Sequence, residues 1–268
     1  MQPSDSTSYQ SLIENLRYLK LPKFEEKLSE TLDRVQKRDL SVLEALHLLS
    51  NAEVDNKKQM SMLRSIRMAG FPHHKGLRDF DFAFQPSVNR GQIYDLATLG
   101  FIEHKENIVF LGYPGVGKTH LATALGIEAA RHRISCYFIK ANTLLTRLRK
   151  AKEENRLEAS LRYYVRHRLL IIDELGFLPI QKGDEKLLFQ VIDQRYEKKS
   201  TIVTTNVQFS DWGDLFEDPT IAHAILDRLL HHSHVLAIVG DSYRTKDLVG
   251  MRTQTDEEKP ENFSPPRG

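Results

Sequence analysis

The segment that most constrains this chain is Gly112-Tyr113-Pro114-Gly115-Val116-Gly117-Lys118-Thr119, which matches the pattern G-x-x-x-x-G-K-[ST]. The apolar run Ile108–Leu111 reads as a strand leading in, and Thr119–Ala130 reads as a helix leading out. That order is the strand–loop–helix unit of a parallel α/β sheet. Glycines let the backbone curl until its N–H groups converge, and the helix N-terminus adds a positive dipole. Such a loop grips phosphate. Lys118 is positioned to reach the β- and γ-phosphates and Thr119 to ligate Mg²⁺. The expected nucleotide contacts run from Gly112 through His120, and the expected cofactors are ATP and Mg²⁺. The competing reading, a chance glycine turn, leaves the motifs downstream without an explanation.

Leu169-Leu-Ile-Ile172-Asp173-Glu174 is an apolar strand that ends in two carboxylates. At the C-terminal end of a parallel strand they fall beside the phosphate loop, where open α/β sheets bind ligands. Asp173 is the expected metal ligand with Thr119, and Glu174 the group that polarises the attacking water. Ile202-Val-Thr204-Thr205-Asn206 ends another strand in polar residues. Asn206 is expected to orient that water; its plainer role would be a helix cap. Arg228 near a helix end and Arg244 after the last strand are available to neutralise transition-state charge, although arginines more often form surface ion pairs.

Further strands are expected at Cys136–Ile139 and Val235–Val239. Five apolar strands alternating with helical patterns predict a parallel sheet covered on both faces. The expected domains are a helical N-terminal one over 1–70, a linker and start of the ATPase domain over 71–106, the ATPase domain over 107–250, and a disordered tail over 251–268. The N-terminal helices follow from Leu12, Ile13, Leu16 and Leu19, from Pro22 with the stripe Phe24, Leu28, Leu32 and Val35, and from the Ser41–Glu44 capping box, which opens a long helix to Met68. The segment from Phe71 to Arg90, with Phe80, Phe82 and Phe84, is expected to dock on the domain C-terminal to it. A single cysteine, Cys136, excludes an internal disulfide and fits a reducing cytosol. No apolar run is long enough for a membrane span, and the N-terminus lacks a signal-peptide core, so a cytoplasmic protein is expected.

Taken together, Gly112–His120, Asp173-Glu-Leu-Gly176, Arg195-Tyr-Glu197, Thr204-Thr-Asn206 and Ile225–His232 followed by Gly240-Asp-Ser-Tyr-Arg244 resemble the IstB family, helper ATPases of bacterial insertion-sequence transposition. The resemblance runs from Leu16 through Arg244. Its ATPase motifs are shared with DnaC-type helicase loaders, which stay open as an alternative. Phe80-Asp-Phe82, Arg195-Tyr-Glu197 and His231-His232-Ser233-His234 favour IstB. The resemblance implies an AAA+ (ASCE) P-loop domain with strand order 5-1-4-3-2, behind a small all-helical N-terminal domain. It implies Arg228 as an arginine finger acting on a neighbour's ATP, and Arg244 as a second sensor in its own subunit. It further implies a homo-oligomer that binds DNA with little sequence preference and directs a partner transposase.

A net charge of +2 says little about a nucleic-acid partner, but its distribution says more. Between the second and third strands, residues 142–167 carry Arg147, Arg149, Lys150, Lys152, Arg156, Arg162 and Arg166 against three glutamates. This is the expected DNA face, weighed against a solvated helix with i,i+4 pairs. A weaker candidate is Lys57, Lys58, Arg64, Arg67, Lys75 and Arg78. His73-His74 and the His231–His234 segment have no Cys, Asp or Glu at matching ligand spacing, so they read as surface or interface histidines.

Overall fold

A computed structural model describes residues 3–177 and 180–246, with side chains described from residue 7 onward. The tail expected at 251–268 lies outside the described residues. The chain divides into two compact units, Met1–Arg64 and Ser65–Gly268.

The first unit holds helices α1 (Pro3–Tyr18), α2 (Pro22–Gln36) and most of α3 (Val42–Met68). Pro22 stands in the first turn of α2, where its missing N–H costs nothing. The expected capping box opens α3: the Ser41 N–H donates to Glu44 Oε2 at 2.8 Å, and the Glu44 N–H donates to Ser41 Oγ at 3.3 Å. The core is small: Leu16, Leu28 and Leu49 are buried, with Ile13 and Phe24 against them. The apolar stripes are narrower than the periodicity suggests. Leu12, Leu19 and Leu32 are exposed, and Thr31 takes an inward position, donating its hydroxyl to the Lys27 carbonyl at 2.7 Å. Buried Glu53 of α3 accepts the N–H groups of Lys23 and Phe24 at 2.8 and 3.2 Å, so its carboxylate caps α2.

The second unit is a five-stranded parallel sheet with helices on both faces. Its strands are β1 (Asn107–Gly112), β2 (Cys136–Lys140), β3 (Leu169–Leu175), β4 (Ser200–Thr205) and β5 (Ser233–Ile238). Their spatial order is β2-β3-β4-β1-β5, the order implied by the resemblance. Helices α4 (Arg90–Ala97) and α5 (Gly100–Glu103) precede β1, and between the strands run α6 (Lys118–Arg131), α7 (Ala141–Glu153), α8 (Leu157–Val165), α9 (Asp184–Arg195), α10 (Trp212–Leu215) and α11 (Pro219–Leu230). Alternate residues of β3 serve opposite layers. Leu169 and Ile171 pack with α6 and α4, while Leu170 and Ile172 pack with α7, α9 and α11. Burial on both faces explains the long apolar runs of β1 and β3, whereas edge strand β5 is open on one face, with Val235 exposed. The 71–90 segment does dock: Phe80 is buried in the α6 layer, with Phe71 and Phe82 packed against it. Among the described residues no helix is long and apolar enough to cross a membrane.

Arg195, at the end of α9, is 1% exposed, and among the described residues it forms no ion pair with a carboxylate. Its guanidinium donates to the carbonyls of Tyr164, Val165, His167, Arg168 and Ser200 and to Thr201 Oγ1. It thereby caps the C-terminus of α8 and ties it to the starts of β3 and β4. Burial pushes its pKa down to about 9, which leaves it charged at neutral pH.

Candidate nucleotide-binding site

The loop between β1 and α6 has the backbone that its glycines foretell. Gly117 precedes α6 with a φ of 100°, and a Cβ there would lie 2.6 Å from the Phe80 ring. Gly115 has a φ of 89°, and a Cβ there would overlap the Ser242 side chain. Both positions combine a left-handed conformation with a close neighbour, so only glycine fits. Lys118 curls back, and its ammonium donates to the carbonyls of Gly112 and Tyr113 at 2.6 and 2.8 Å. Burial lowers the Lys118 pKa; Asp173 opposes the shift, Arg244 adds to it and Glu174 opposes it. His120 is fixed by the Gly76 carbonyl at 2.9 Å and by the edges of Phe80 and His73.

Across from the loop, Asp173 is fully buried. Its Oδ1 accepts from Thr119 Oγ1 at 2.9 Å and from Thr204 Oγ1 at 2.6 Å. Its Oδ2 is buried with no hydrogen-bond partner. Burial raises the Asp173 pKa, against the pull of the Thr204 and Thr119 hydroxyls. An orphaned carboxylate oxygen beside a threonine hydroxyl is a donor set suited to a hard divalent cation.

Glu174 has a φ of 59°, a left-handed conformation that costs a non-glycine residue about 1–2 kcal/mol. A β-bulge accounts for it. Ile172 pairs with Val203 but Leu175 pairs with Thr205, so β3 carries one extra residue. Two threonines clamp the bulge. Thr204 Oγ1 accepts the Glu174 N–H at 2.9 Å, and Thr205 Oγ1 donates to the Leu175 carbonyl at 2.8 Å. The Glu174 carboxylate forms an ion pair with Lys140 Nζ at 2.7 Å.

Of the residues singled out in the sequence, Pro114 through His120, Asp173, Glu174, Asn206 and Arg244 line one cavity of about 420 Å³. Gly112 and Tyr113 do not line it; they supply the carbonyls that hold Lys118. Arg228 also lies outside it. This arginine is on α11, paired with Asp193 at 2.9 Å and stacked over Phe189 at 4.7 Å. Arg147, Arg149, Lys150, Lys152 and Arg156 are on or just after α7 and likewise outside the cavity. Arg149 is held by buried Asp184 at 3.2 Å, Arg147 donates to Tyr137 Oη at 3.1 Å, and Arg156 pairs with Glu154. Lys150 and Lys152 are exposed.

Sequence reasoning missed three parts of this site. Thr204 was visible only as one of two strand-end hydroxyls, yet it joins Asp173 to the Glu174 backbone. Lys140 stands beside Asp173 in the β2–β3 register, a neighbour relation that needs the strand order to be seen. The linker supplies a whole wall of the cavity, including His73, Asp79, Phe80 and Gln85. Gln85 Nε2 donates to the Asp241 carbonyl at 2.7 Å, and the Tyr243 N–H donates to the Gly115 carbonyl at 3.0 Å. These bonds anchor the segment that carries Arg244.

The sequence and the fold both have relatives. The chain is 53% identical to a Bacillus thuringiensis subsp. berliner protein named for ATP binding in insertion sequence IS232, over 90% of this chain and 96% of that one. It is 43% identical to the corresponding IS21 protein of Pseudomonas aeruginosa, over 87% and 88% of the two chains. Among solved structures, the fold is similar to DnaI, with a TM-score of 0.53 at 20% identity over 62% of this chain and 92% of that one. It is also similar to DnaA from Aquifex aeolicus bound to AMPPCP, with a TM-score of 0.52 at 19% identity over 72% and 59% of the two chains. At these identities the likeness is one of fold, the AAA+ P-loop fold. Residues 14–249 match the IstB-like ATP binding proteins of the IS21 type, and the chain belongs to that family.

Proposed function

We propose that this protein is an ATPase that binds ATP with Mg²⁺ in this cavity, assembles on DNA as a homo-oligomer, and serves a partner transposase in insertion-sequence transposition. The observation that carries the reading is the meeting of Lys118, Thr119, half-bonded Asp173 and Glu174 in one cavity. The insertion-sequence names of the relatives at 53% and 43% identity favour transposition over helicase loading.

The chain's own residues divide the work. Backbone N–H groups of the loop hold phosphate oxygens, and Lys118 leaves the Gly112 and Tyr113 carbonyls to join them. Thr119 and Asp173 hold Mg²⁺, which when bound neutralises phosphate charge. Glu174 parts from Lys140 and takes the proton of the attacking water, while Asn206 orients that water. Arg244 contacts the phosphates of its own subunit. Arg228, outside its own cavity and paired with Asp193, acts on a neighbour's, so the complete site lies between subunits. DNA lies against α7, chiefly at Lys150 and Lys152 with Arg147 and Arg156 beside them. Arg149 contributes least because it is committed to Asp184.

Glu174→Gln should keep ATP affinity and lose turnover by about 100-fold or more. Turnover near wild type would refute the base assignment. Arg228→Ala should be slow, yet partly recover when mixed with Lys118→Ala subunits, which donate a finger but bind ATP much more weakly, at an ATP concentration that leaves their own sites mostly empty. No recovery would refute action in trans.

A further inference from the structure

Two segments that carry the family resemblance have no part in the nucleotide cavity: Arg195-Tyr-Glu197 and His231-His232. The fold brings them together. Glu197 follows α9 and His231 follows α11, two helices that pack side by side. The Glu197 carboxylate Oε1 lies 3.9 Å from His231 Nδ1 and 3.8 Å from His232 Nε2. One ligand atom from each of the three lies within 4.8 Å of the others, and among the described residues no other group of His, Cys, Asp or Glu meets this condition. The two imidazole centroids are 4.0 Å apart.

We propose that Glu197, His231 and His232 form a binding site for a divalent transition-metal ion of the zinc class. Two imidazoles and one carboxylate are the ligand set such a borderline ion favours, whereas Mg²⁺ and Ca²⁺ favour oxygen alone. In a tetrahedral site, with ligand bonds near 2.0–2.1 Å, donor atoms sit about 3.3 Å apart. The two Glu197–histidine spacings need to close by about half an ångström and the spacing between the histidine nitrogens, which lies within 4.8 Å, by at most about 1.5 Å, within reach of exposed side chains by rotamer adjustment. Glu197 itself has a left-handed backbone, with a φ of 55°. His231 and His232 sit at the C-terminus of α11, where the helix dipole favours a cation. The fourth position is open to water or to a ligand from another molecule.

The site adjoins Arg228. Tyr196 Oη lies 2.6 Å from His231 Nδ1, and the Tyr196 ring lies 5.9 Å from the Arg228 guanidinium, one helical turn before His231. A metal on His231 Nδ1 displaces the tyrosine hydroxyl, so occupancy is felt at the arginine. Metal binding itself is independent of any ATPase role.

The test is titration of the full chain with Co²⁺, read by visible absorption, and with Zn²⁺, read by calorimetry, without nucleotide. The expected result is one equivalent bound with micromolar or tighter affinity and a tetrahedral Co²⁺ spectrum. His232→Ala and Glu197→Gln should each weaken binding by about tenfold or more, with circular dichroism unchanged. His73→Ala/His74→Ala serves as the control and should bind as wild type. The proposal is overturned if the wild-type chain binds no equivalent in this range. It is equally overturned if the His73/His74 variant loses the site while His232→Ala keeps it.

Discussion

Removing one hydroxyl tests whether the bulge in β3 sets the geometry for catalysis. Thr204 is fully buried; its Oγ1 donates to Asp173 at 2.6 Å and accepts the Glu174 N–H at 2.9 Å. Thr204→Val keeps the volume and removes both bonds. A hydrogen bond to a charged group contributes about 1.5–3 kcal/mol, and a buried N–H left unsatisfied costs about 1–3 kcal/mol. The two effects share one atom and do not simply add, so the expected loss of stability is about 2–4 kcal/mol. The sole tryptophan, Trp212, is fully buried in the second unit, so its fluorescence in a urea titration reports that unit's unfolding. The freed Glu174 backbone no longer has to hold its left-handed turn, and its carboxylate drifts from the water. If half the lost energy held that geometry, turnover falls about 5- to 30-fold. Thr204→Ser keeps both bonds and should stay within about threefold of wild type. Steady-state phosphate release at saturating ATP and Mg²⁺ is the assay. A Thr204→Val protein that is destabilised yet turns over ATP within twofold of wild type would refute the reasoning, because Glu174 would then be placed without the hydroxyl.

Two buried groups away from the cavity give further expected outcomes. Arg195→Met should cost at least about 3 kcal/mol by the same urea assay, since it strips a donor from five carbonyls and a threonine inside the fold; a loss below about 1 kcal/mol would show that those carbonyls find other partners. His167 is held neutral by burial and by the nearby Arg166, Arg195 and Lys199, which push its pKa down to about 4 from 6.5. The unfolded chain therefore takes up this proton first. Stability is fully present above about pH 6.5 and falls as pH drops toward 4, by roughly 2 kcal/mol after allowance for solvent screening. His167→Gln should flatten that part of the profile, and an unchanged slope would remove His167 as its cause.

The central strands of the sheet were legible because β1, β3 and β4 are buried on both faces and so read as runs of apolar and β-branched residues; edge strand β5 is open on one face and still showed through its β-branched and apolar residues. The phosphate loop was legible because its backbone conformation demands glycine at Gly115 and Gly117, and sequence records that demand directly. What escaped was set by neighbours distant in sequence. Leu32 satisfies the helical stripe of α2 but finds no partner layer, so it is exposed at 38% while Thr31 is buried. Arg149 reads as one of the DNA-facing charges of α7, yet Asp184 from α9 claims it. Glu197 and the His231-His232 pair are separated by a strand and two helices, so no local spacing rule could join them.

The central claim is that the loop's backbone and Lys118 grip a nucleotide triphosphate. Equilibrium binding of a fluorescent ATP analogue with Mg²⁺, wild type against Lys118→Ala, tests it most directly. The expected result is saturable micromolar binding that weakens by about tenfold or more in the variant, the loss expected for a charge-assisted bond to phosphate. Equal affinity in the two proteins, or none in a folded wild-type sample, would contradict it.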